Sequence, residues 1–470
     1  MTRTCCVIAV TLAVFVLTIP ALPAEIVVDA DTVQNRIHPL HGVNAGPGHV
    51  PGWQANRDVI DLYRMLKIPI VRTHDYYGPS DLKTIFPNGW SADPDDPANY
   101  DFSETDAVVD EIEAAGCAIM FRLGESWNTQ NPRNEIPEDF DTVARVSEKI
   151  VERYHDRVAM WEIWNEPNIN MFWDQHADPD MEQFADMYAT VAKHLKQRWP
   201  DLVVGGPGMA GAQNPAQEAA EFAEACRDRG APLDFYSWHW YNRQQEGPYC
   251  LARLAGEIRQ ALDDEGFTDT VNIQGEWNTI NPHVTDSFWR PTMYNADGAA
   301  WNAAALVYLH QHSDVRHAFR YRGDCHGGDT GHGLVRPDGS LKKPGYALKA
   351  YSMLFADSGD TLMLKTSGGD LEGTAALATT DEQEQAVNVL ITRFTSADEA
   401  VTVRFEGLPQ SWQRPVVRHF VTTPGPDWLS PPPRPLKKVR GGWVLQIRAA
   451  QQSGSDVHLL QISDRNTPGP

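Results

Sequence analysis

The chain has 470 residues, of which 42% are hydrophobic and 10% are aromatic. This composition is typical of a globular protein and excludes a disordered one, and the length allows one large domain and a smaller one. The 63 acidic and 40 basic residues give a formal net charge of −23. That charge argues against nucleic acid or an anionic membrane as a partner.

The amino-terminal segment predicts export. Arg3 is followed by an apolar run, and the small residues up to Ala24 are typical of a cleavage site before Glu25. We therefore expect residues 1–24 to be a secretory signal peptide and the mature protein to be secreted or periplasmic. An uncleaved membrane anchor is the alternative, but the run is short for a spanning helix and prolines interrupt its end.

Eight short apolar runs alternate with longer amphipathic segments, a rhythm that predicts parallel strands joined by helices. The predicted strands span 38–45, 68–74, 117–123, 158–164, 202–206, 233–239, 271–276 and 316–321. Eight such units in roughly 330 residues are typical of a (β/α)8 TIM barrel. We therefore expect a barrel domain of the α/β class over residues 38–357.

A different pattern begins near residue 358. Apolar and polar residues alternate with period two, and turn-forming residues separate the alternating segments. This pattern predicts a small antiparallel β-sandwich domain over residues 358–470. Residues 25–37 have the same pattern, so we expect them to add a strand to this domain.

Four cysteines lie beyond the predicted signal, at Cys117, Cys226, Cys250 and Cys325. They form no CxxC pair and no disulfide framework, so they predict no metal site. The four cysteines still allow one isolated disulfide, between Cys226 and Cys250. In the segment after the eighth strand, His326, Asp329 and His332 match no common metal-ligand spacing, and the sequence therefore predicts no metal ion.

Two glutamates end predicted strands on opposite sides of the barrel. Glu166 follows the fourth strand in the segment MWEIWNEPN, and Glu276 ends the seventh in VNIQGEWNT. Because catalytic groups of TIM barrels lie at the carboxyl ends of the strands, we expect the two carboxyl groups to share one pocket. Such a pair is the apparatus of glycoside hydrolysis, in which one group donates a proton and the other attacks or activates water. Taken alone, either residue could instead be a solvated loop glutamate.

The motifs WNEPN at 164–168, GEWNT at 275–279 and YNADGAAWNAAAL at 294–306 resemble glycoside hydrolase family 39. This family of TIM-barrel retaining glycosidases includes β-xylosidases and α-L-iduronidases. The resemblance implies that Glu166 is the general acid/base, that Glu276 is the nucleophile and that Asn165 binds the 2-hydroxyl of the sugar. It implies an oligosaccharide or polysaccharide as the partner and no cofactor.

Further residues near strand ends are candidates for contact with the sugar. Tyr241 would hydrogen-bond to Glu276, and Arg72 would balance the charge of that nucleophile. Glu125 is as well explained by a structural ion pair as by a sugar contact. The other candidate sugar contacts are His41, His74, Asp75, His239 and Trp277. The tryptophans Trp127, Trp173 and Trp289 could also stack on a sugar, although packing is the commoner role.

Arg322 marks a departure from the family pattern. Many relatives end the eighth strand with a tryptophan that forms the floor of the first sugar site, whereas this chain has Arg320 and Arg322 in that region. The guanidinium of Arg322 would suit an acidic sugar. The alternative is that Arg322 pairs with Asp324 or Asp329.

The resemblance implies a β-xylosidase-like enzyme, and the long loops after strands two and eight favour a walled pocket and therefore exo action. A hydrolase of uronic acids, or an endo-acting exopolysaccharide hydrolase, is the enzymatic alternative. A carbohydrate-binding protein without turnover is the non-enzymatic alternative, and it would be favoured if either carboxylate were missing. The sequence carries no signal of oligomeric state.

Overall fold

The computed structural model describes residues 24–465, except 49–57, 75–77, 127–135, 138, 174–177, 212–213, 282–283, 358, 360, 382–384, 423–431 and 450–453. The predicted signal peptide therefore lies outside the described residues up to position 23. Among the helices that are described, none combines the length and hydrophobicity that crossing a membrane requires.

After a first strand, β1 (Ala24–Ile37), eight parallel strands form a closed barrel in chain order, which confirms the predicted TIM barrel. They are β2 (Val43–Asn44), β3 (Ile70–Arg72), β4 (Ala118–Leu123), β5 (Met160–Ile163), β6 (Val204–Met209), β7 (Phe235–Tyr241), β8 (Val271–Asn278) and β9 (His317–Arg320). The described helices are α1 (Ile60–Met65), α2 (Leu82–Ile85), α3 (Ser103–Ala114), α4 (Phe140–Tyr154), α5 (Met181–Arg198), α6 (Pro215–Arg229), α7 (Cys250–Asp264), α8 (Ala296–His312) and α9 (Lys343–Ser352).

Side chains fill the barrel in layers, because alternate residues of a strand point to the same side. An apolar layer consists of Ile70, Met120, Met160, Phe235, Ile273 and Phe319. Two residues further along three of these strands, Arg72, Glu162 and Ser237 are buried and bonded to one another through Glu162. The interior therefore changes from apolar to charged towards the carboxyl ends of the strands.

A second sheet contains β1 and nine strands that follow the barrel, which are β10 (Thr361–Gly368), β11 (Ala375–Asp381), β12 (Val387–Arg393), β13 (Ala400–Glu406), β14 (Pro415–Val421), β15 (Arg434–Pro435), β16 (Lys437–Val439), β17 (Gly442–Arg448) and β18 (Asp456–Asp464). Their order in the sheet is β15-β14-β18-β12-β11-β10-β1-β13-β17-β16. Neighbouring strands are antiparallel except β1 and β13, which are parallel. The sheet is therefore mixed. Its strand β1 precedes the barrel in the sequence, whereas its other nine strands follow the barrel.

The core of this second domain shows that the sheet folds over on itself. Val417 of β14 and Ile447 of β17 belong to one buried cluster, although many strands separate them in the sheet. Strands near opposite edges can share a core only if the sheet curves until its two halves face each other. This is the arrangement of a β-sandwich.

Helix α8 lies between the two domains. It is buried along nearly its whole length and is apolar around its circumference, as expected for a helix covered on all sides. The Trp301 ring of α8 lies 6.2 Å from the ring of Trp277 on the barrel. On its other side, Gln311 donates to the carbonyl oxygen of Ala376 on β11 at 2.9 Å. The barrel and the second domain therefore share one continuous core.

The cysteines do not form the disulfide considered from the sequence. All four described cysteines are unbonded and buried. Cys226 lies in α6 and Cys250 begins α7, and burial raises the pKa of each thiol to about 12. They act as small apolar side chains in the layer of helices.

Candidate active site

Glu166 lies in a strained turn directly after β5. The backbone φ angles of Trp164 and Glu166 are 75° and 46°, in the left-handed region that is costly for residues with a Cβ atom. The backbone N–H of Glu166 donates to the carbonyl oxygen of Gly208 on β6 at 2.9 Å, which ties the turn to the neighbouring strand. Strain of this kind persists only where surrounding structure fixes it, and it is concentrated at functional sites.

Glu276 reaches the barrel mouth because of a bulge in β8. Trp238 pairs with Gln274, but the next residue of β7, His239, pairs with Glu276, so β8 has one extra residue at this point. Alternation counted from the inward-facing Ile273 would have turned Glu276 towards the helices. The bulge turns it inwards, which is a recognised role of bulges beside active sites.

His239 lies between the two glutamates. Its Nδ1 atom is 2.8 Å from Oε1 of Glu166, with which it shares a hydrogen bond, and 3.8 Å from Oε2 of Glu276. This nitrogen and one carboxylate oxygen from each glutamate all lie within 4.8 Å of one another. The structure thus brings together the two carboxyl groups that the sequence analysis pairs.

Both carboxylate oxygens of Glu276 accept hydrogen bonds. Arg72 Nη1 donates to Oε1 at 2.7 Å, and the Tyr241 hydroxyl donates to Oε2 at 2.5 Å. Burial and the nearby Glu276 raise the pKa of Tyr241 well above its usual value, so the phenol keeps its proton. His74 Nε2 lies 3.4 Å from Oε1, and burial, followed by Arg72, lowers the pKa of His74 well below its usual value. Donors on both oxygens stabilise the ionised form of a carboxylate.

Arg72 organises the floor of the site. Its guanidinium is fully buried and donates to Glu162 Oε2 at 2.6 Å, to Asn44 Oδ1 at 3.0 Å and to Asn165 Oδ1 at 2.7 Å, in addition to Glu276. Burial alone would lower the pKa of Arg72, but the two carboxylates outweigh burial and raise it. The guanidinium therefore stays charged and fixes four side chains that come from three strands, β2, β5 and β8, or from the residues directly after them.

Asn165 is prepared to act as a donor. Its Oδ1 is occupied by Arg72, which fixes the orientation of the amide. Its Nδ2 is buried and has no hydrogen-bond partner within the described residues. A buried donor without a partner costs free energy, and the hydroxyl group of a bound ligand would remove that cost.

Gly208 and Ser237 support this network and were missed from the sequence. A Cβ atom at Gly208, whose φ is 63°, would lie 3.0 Å from Arg72 Nη2 and 3.2 Å from His239 Nε2. The Ser237 hydroxyl donates to Glu162 Oε1 at 2.7 Å and accepts from the backbone N–H of Gly208 at 2.7 Å. The signal in the sequence was the segment GGPG at 205–208, whose glycines permit close approach of the backbone.

Two predicted sugar contacts are wrong. His41 precedes β2, at the amino-terminal end of the barrel, and its ring packs against Tyr351 of α9. Trp277 follows Glu276 on β8 and is fully buried against Trp301. His41 lies outside the pocket because it precedes its strand, whereas the pocket lies at the carboxyl ends of the strands. Trp277 lies outside the pocket because the residue beside an inward-pointing one faces the helices.

Arg322 is already paired. Its Nε and Nη2 atoms donate to the two carboxylate oxygens of Asp324 at 3.0 Å and 2.6 Å, and both side chains are buried. Because Asp324 fills this donor fork, the alternative given in the sequence analysis, pairing within the loop, is the one observed. Asp75 and Trp127 lie outside the described residues. Trp173 is fully buried against Trp164 and Phe184, and Trp289 packs against Phe288 and Phe394.

Glu125 lies just beyond β4, in a buried group of charges. Its Oε1 accepts from the backbone N–H of Lys83 at 3.0 Å, and its Oε2 is buried without a partner among the described residues. Arg122 donates to Asp81 at 2.6 Å rather than to Glu125. Burial, reinforced by the charge of Asp81, raises the pKa of Glu125 to about 8. The carboxyl group is therefore neutral in mildly acidic solution.

A Glu125→Gln variant should gain stability relative to the wild type as pH rises. The folded protein keeps a proton on Glu125 that the unfolded chain has lost, so the wild type loses stability between the ordinary pKa of 4.5 and the folded pKa of about 8. The neutral amide lacks this loss, and we expect the difference in unfolding free energy to grow by up to about 1.4 kcal/mol per pH unit. Urea unfolding at about pH 5 and about pH 8 measures it. The exposed Glu257→Gln serves as control, and a difference independent of pH would contradict the assignment.

A family model described as glycosyl hydrolases family 39 matches residues 53–325. A β-xylosidase from Geobacillus stearothermophilus is 33% identical over 159 residues, which are 30% of this chain and 31% of that protein. A β-xylosidase from Caldicellulosiruptor saccharolyticus is 33% identical over 198 residues, 39% of this chain and 38% of that protein. The aligned part of the chain thus spans between three tenths and four tenths of the length of these relatives.

Solved structures resemble the chain over nearly its whole length. A glucosidase from Croceicoccus marinus has a TM-score of 0.77 at 26% sequence identity, covering 94% of this chain and 99% of that one. A monomeric β-xylosidase from Caulobacter crescentus has a TM-score of 0.70 at 17% identity, covering 94% of this chain and 100% of that one. At 17% identity, the likeness to the Caulobacter crescentus enzyme shows the fold alone.

Proposed function

The chain belongs to glycosyl hydrolase family 39, and on that premise we propose that it is a retaining, exo-acting glycosidase that releases a neutral sugar from oligosaccharides. A β-xyloside is the first candidate substrate and a β-glucoside the second, in line with the β-xylosidases and the glucosidase that the chain resembles. The observation that carries the proposal is the close pairing of Glu166 and Glu276 at the barrel mouth. Export from the cytoplasm is part of the proposal and rests on the predicted signal peptide.

The separation of the two carboxyl groups supports retention of anomeric configuration. Retaining glycosidases hold them about 5–5.5 Å apart, whereas inverting enzymes leave about 6.5–9.5 Å for a water molecule. In this chain one oxygen of Glu166 and one of Glu276 lie within 4.8 Å of each other. This close approach favours the shorter separation and therefore retention.

The proposed reaction has two displacements. In the first, Glu276 attacks the anomeric carbon, the bond to the leaving oxygen breaks, and Glu166 gives its proton to that oxygen. In the second, Glu166 takes a proton from water, the water oxygen attacks the anomeric carbon, and the ester bond to Glu276 breaks. Arg72 and Tyr241, which donate to Glu276, hold the nucleophile in place. Asn165 would donate a hydrogen bond from its amide nitrogen to a hydroxyl group of the sugar.

The choice of a neutral sugar rests on charge. Arg322, the residue considered as a partner for an acidic sugar, forms a bidentate pair with Asp324. Arg72 is engaged with Glu162 and Glu276. Neither guanidinium is therefore available to balance the carboxylate of a uronic acid without breaking a buried ion pair, which is costly.

Hydrolysis of a panel of nitrophenyl glycosides tests the proposal. We expect the β-xyloside or the β-glucoside to have the highest kcat/KM, ahead of arabinoside, galactoside and iduronide, because Arg72 and Arg322 are already engaged in buried ion pairs. Proton NMR of the first sugar released should show the same anomer as the substrate. An inverted product would contradict retention. A preference for the iduronide would contradict the neutral sugar, and turnover of polysaccharides alone would replace exo action by endo action.

A further inference from the structure

Arg320 is a buried cation that has no anionic partner among the residues that the structure describes. It follows Phe319, which points into the barrel, so Arg320 faces the helices. The guanidinium is fully buried, and it donates to Asn302 Oδ1 of α8 at 2.8 Å and to the carbonyl oxygen of His332 at 2.8 Å. Its Nη2 atom is buried without a hydrogen-bond partner in the described part of the chain. The two oxygen atoms that accept from it at 2.8 Å are both uncharged.

Lys342 is a second buried cation in the same place. Its side chain is fully buried, and Nζ donates to the carbonyl oxygen of Gly331 at 2.9 Å. That carbonyl belongs to the residue before His332, whose carbonyl oxygen binds Arg320, so consecutive peptide groups hold the two cations. Lys342 also stands at the amino terminus of α9, where the helix dipole disfavours a positive charge.

The carboxylates of the surrounding loop compensate these charges only in part, because Asp324 and Asp329 raise the pKa of Lys342 but do not outweigh its burial. Asp324 is engaged with Arg322 through both oxygens, and Asp329 is exposed and lies 3.9 Å from Arg336. Burial lowers the pKa of Arg320 to about 9. Burial, followed by the charge of Arg320, lowers the pKa of Lys342 to about 7. A buried charge without a partner is strongly destabilising, and here consecutive carbonyl groups of one loop hold two such cations.

We propose that a small inorganic anion, with chloride as the principal candidate, binds between Arg320 Nη2 and Lys342, in the layer between the barrel and helices α8 and α9. His332 belongs to the same loop, its Nε2 atom is buried without a partner among the described residues, and this atom would complete the site as a donor. The proposal does not depend on the proposed activity. The anion would nevertheless lie near the active site. Tyr321, next to Arg320, packs against Tyr241 with ring centroids 5.7 Å apart, and Tyr241 donates to Glu276.

Thermal unfolding in sodium chloride and in sodium gluconate at equal ionic strength tests the site. Chloride bound only by the folded protein raises Tm, and we expect a rise of about 3 °C when chloride is in large excess over its Kd. Lys342→Gln should abolish most of this difference between the two salts, because it removes one of the two cations. Lys343→Gln is the matched control, since it removes the same charge from the neighbouring residue, and it should keep the full effect.

Crystals of the wild-type protein grown in sodium bromide give a second readout that does not depend on the stability of a variant. We expect anomalous density for bromide in contact with Arg320 Nη2. Equal dependence of Tm on chloride in the wild type, Lys342→Gln and Lys343→Gln would overturn the proposal. Absence of bromide density at Arg320 would also overturn it, whatever the unfolding curves show.

Discussion

Replacing Glu276 by alanine is expected to lower kcat/KM by about 10⁴-fold or more, because the covalent step loses its nucleophile. The loss should come almost entirely from the chemical step and not from damage to the site. Arg72 keeps Glu162, Asn44 and Asn165 as acceptors in the variant, so the floor of the site should remain assembled. Steady-state kinetics on the best nitrophenyl glycoside, with circular dichroism to verify folding, measure the effect.

Chemical rescue separates a lost nucleophile from a damaged site. Azide is small enough to occupy the space left by the side chain of Glu276, and it should restore turnover and give a glycosyl azide of inverted configuration. Glu162→Gln is the matched control, because Glu162 is the other carboxylate bound to Arg72 and lies deeper in the barrel. Azide should not rescue that variant. Rescue of both variants, or of neither, would contradict the assignment of Glu276 as the nucleophile.

The sequence was sufficient to predict which glutamates meet, and the reason is topological. In a closed parallel barrel every strand ends at the same rim, so the ends of β5 and β8 converge however the intervening segments vary. Local packing was harder to predict. Trp277 and His41 have residue types that suit sugar binding and lie close to strand ends, but alternation and strand direction place them outside the pocket.

The remaining features depend on contacts between distant segments. The bulge that turns Glu276 inwards is an extra residue of β8 relative to β7. Gly275 lies at this point, and a glycine within a strand is a signal of a bulge that the sequence analysis did not use. The need for glycine at position 208 arises from Arg72 and His239, which come from two other strands. Arg322 and Asp324 are two residues apart, yet their pairing was only one of several possible partnerships until the loop conformation was known.

The loss of activity in the Glu166→Ala variant should depend on the leaving group, and this dependence identifies the proton donor. For a leaving sugar or alkyl alcohol, which needs protonation, we expect kcat/KM to fall by about 10²- to 10⁴-fold. For 2,4-dinitrophenyl glycosides, which leave without a proton, the first displacement should be almost unaffected. The loss of activity of the wild type at alkaline pH, where a general acid is deprotonated, should also disappear in the variant.

The comparison between leaving groups makes this experiment sharper than a simple loss of activity. His239 Nδ1 contacts Glu166 at 2.8 Å, so removal of Glu166 could also displace His239 and lower activity indirectly. Such displacement would affect every substrate equally, because it changes the site and not the demand for a proton. A loss that is the same for alkyl and dinitrophenyl glycosides would therefore assign Glu166 a positioning role. A loss confined to the poor leaving groups requires that the carboxyl group of Glu166 itself delivers the proton.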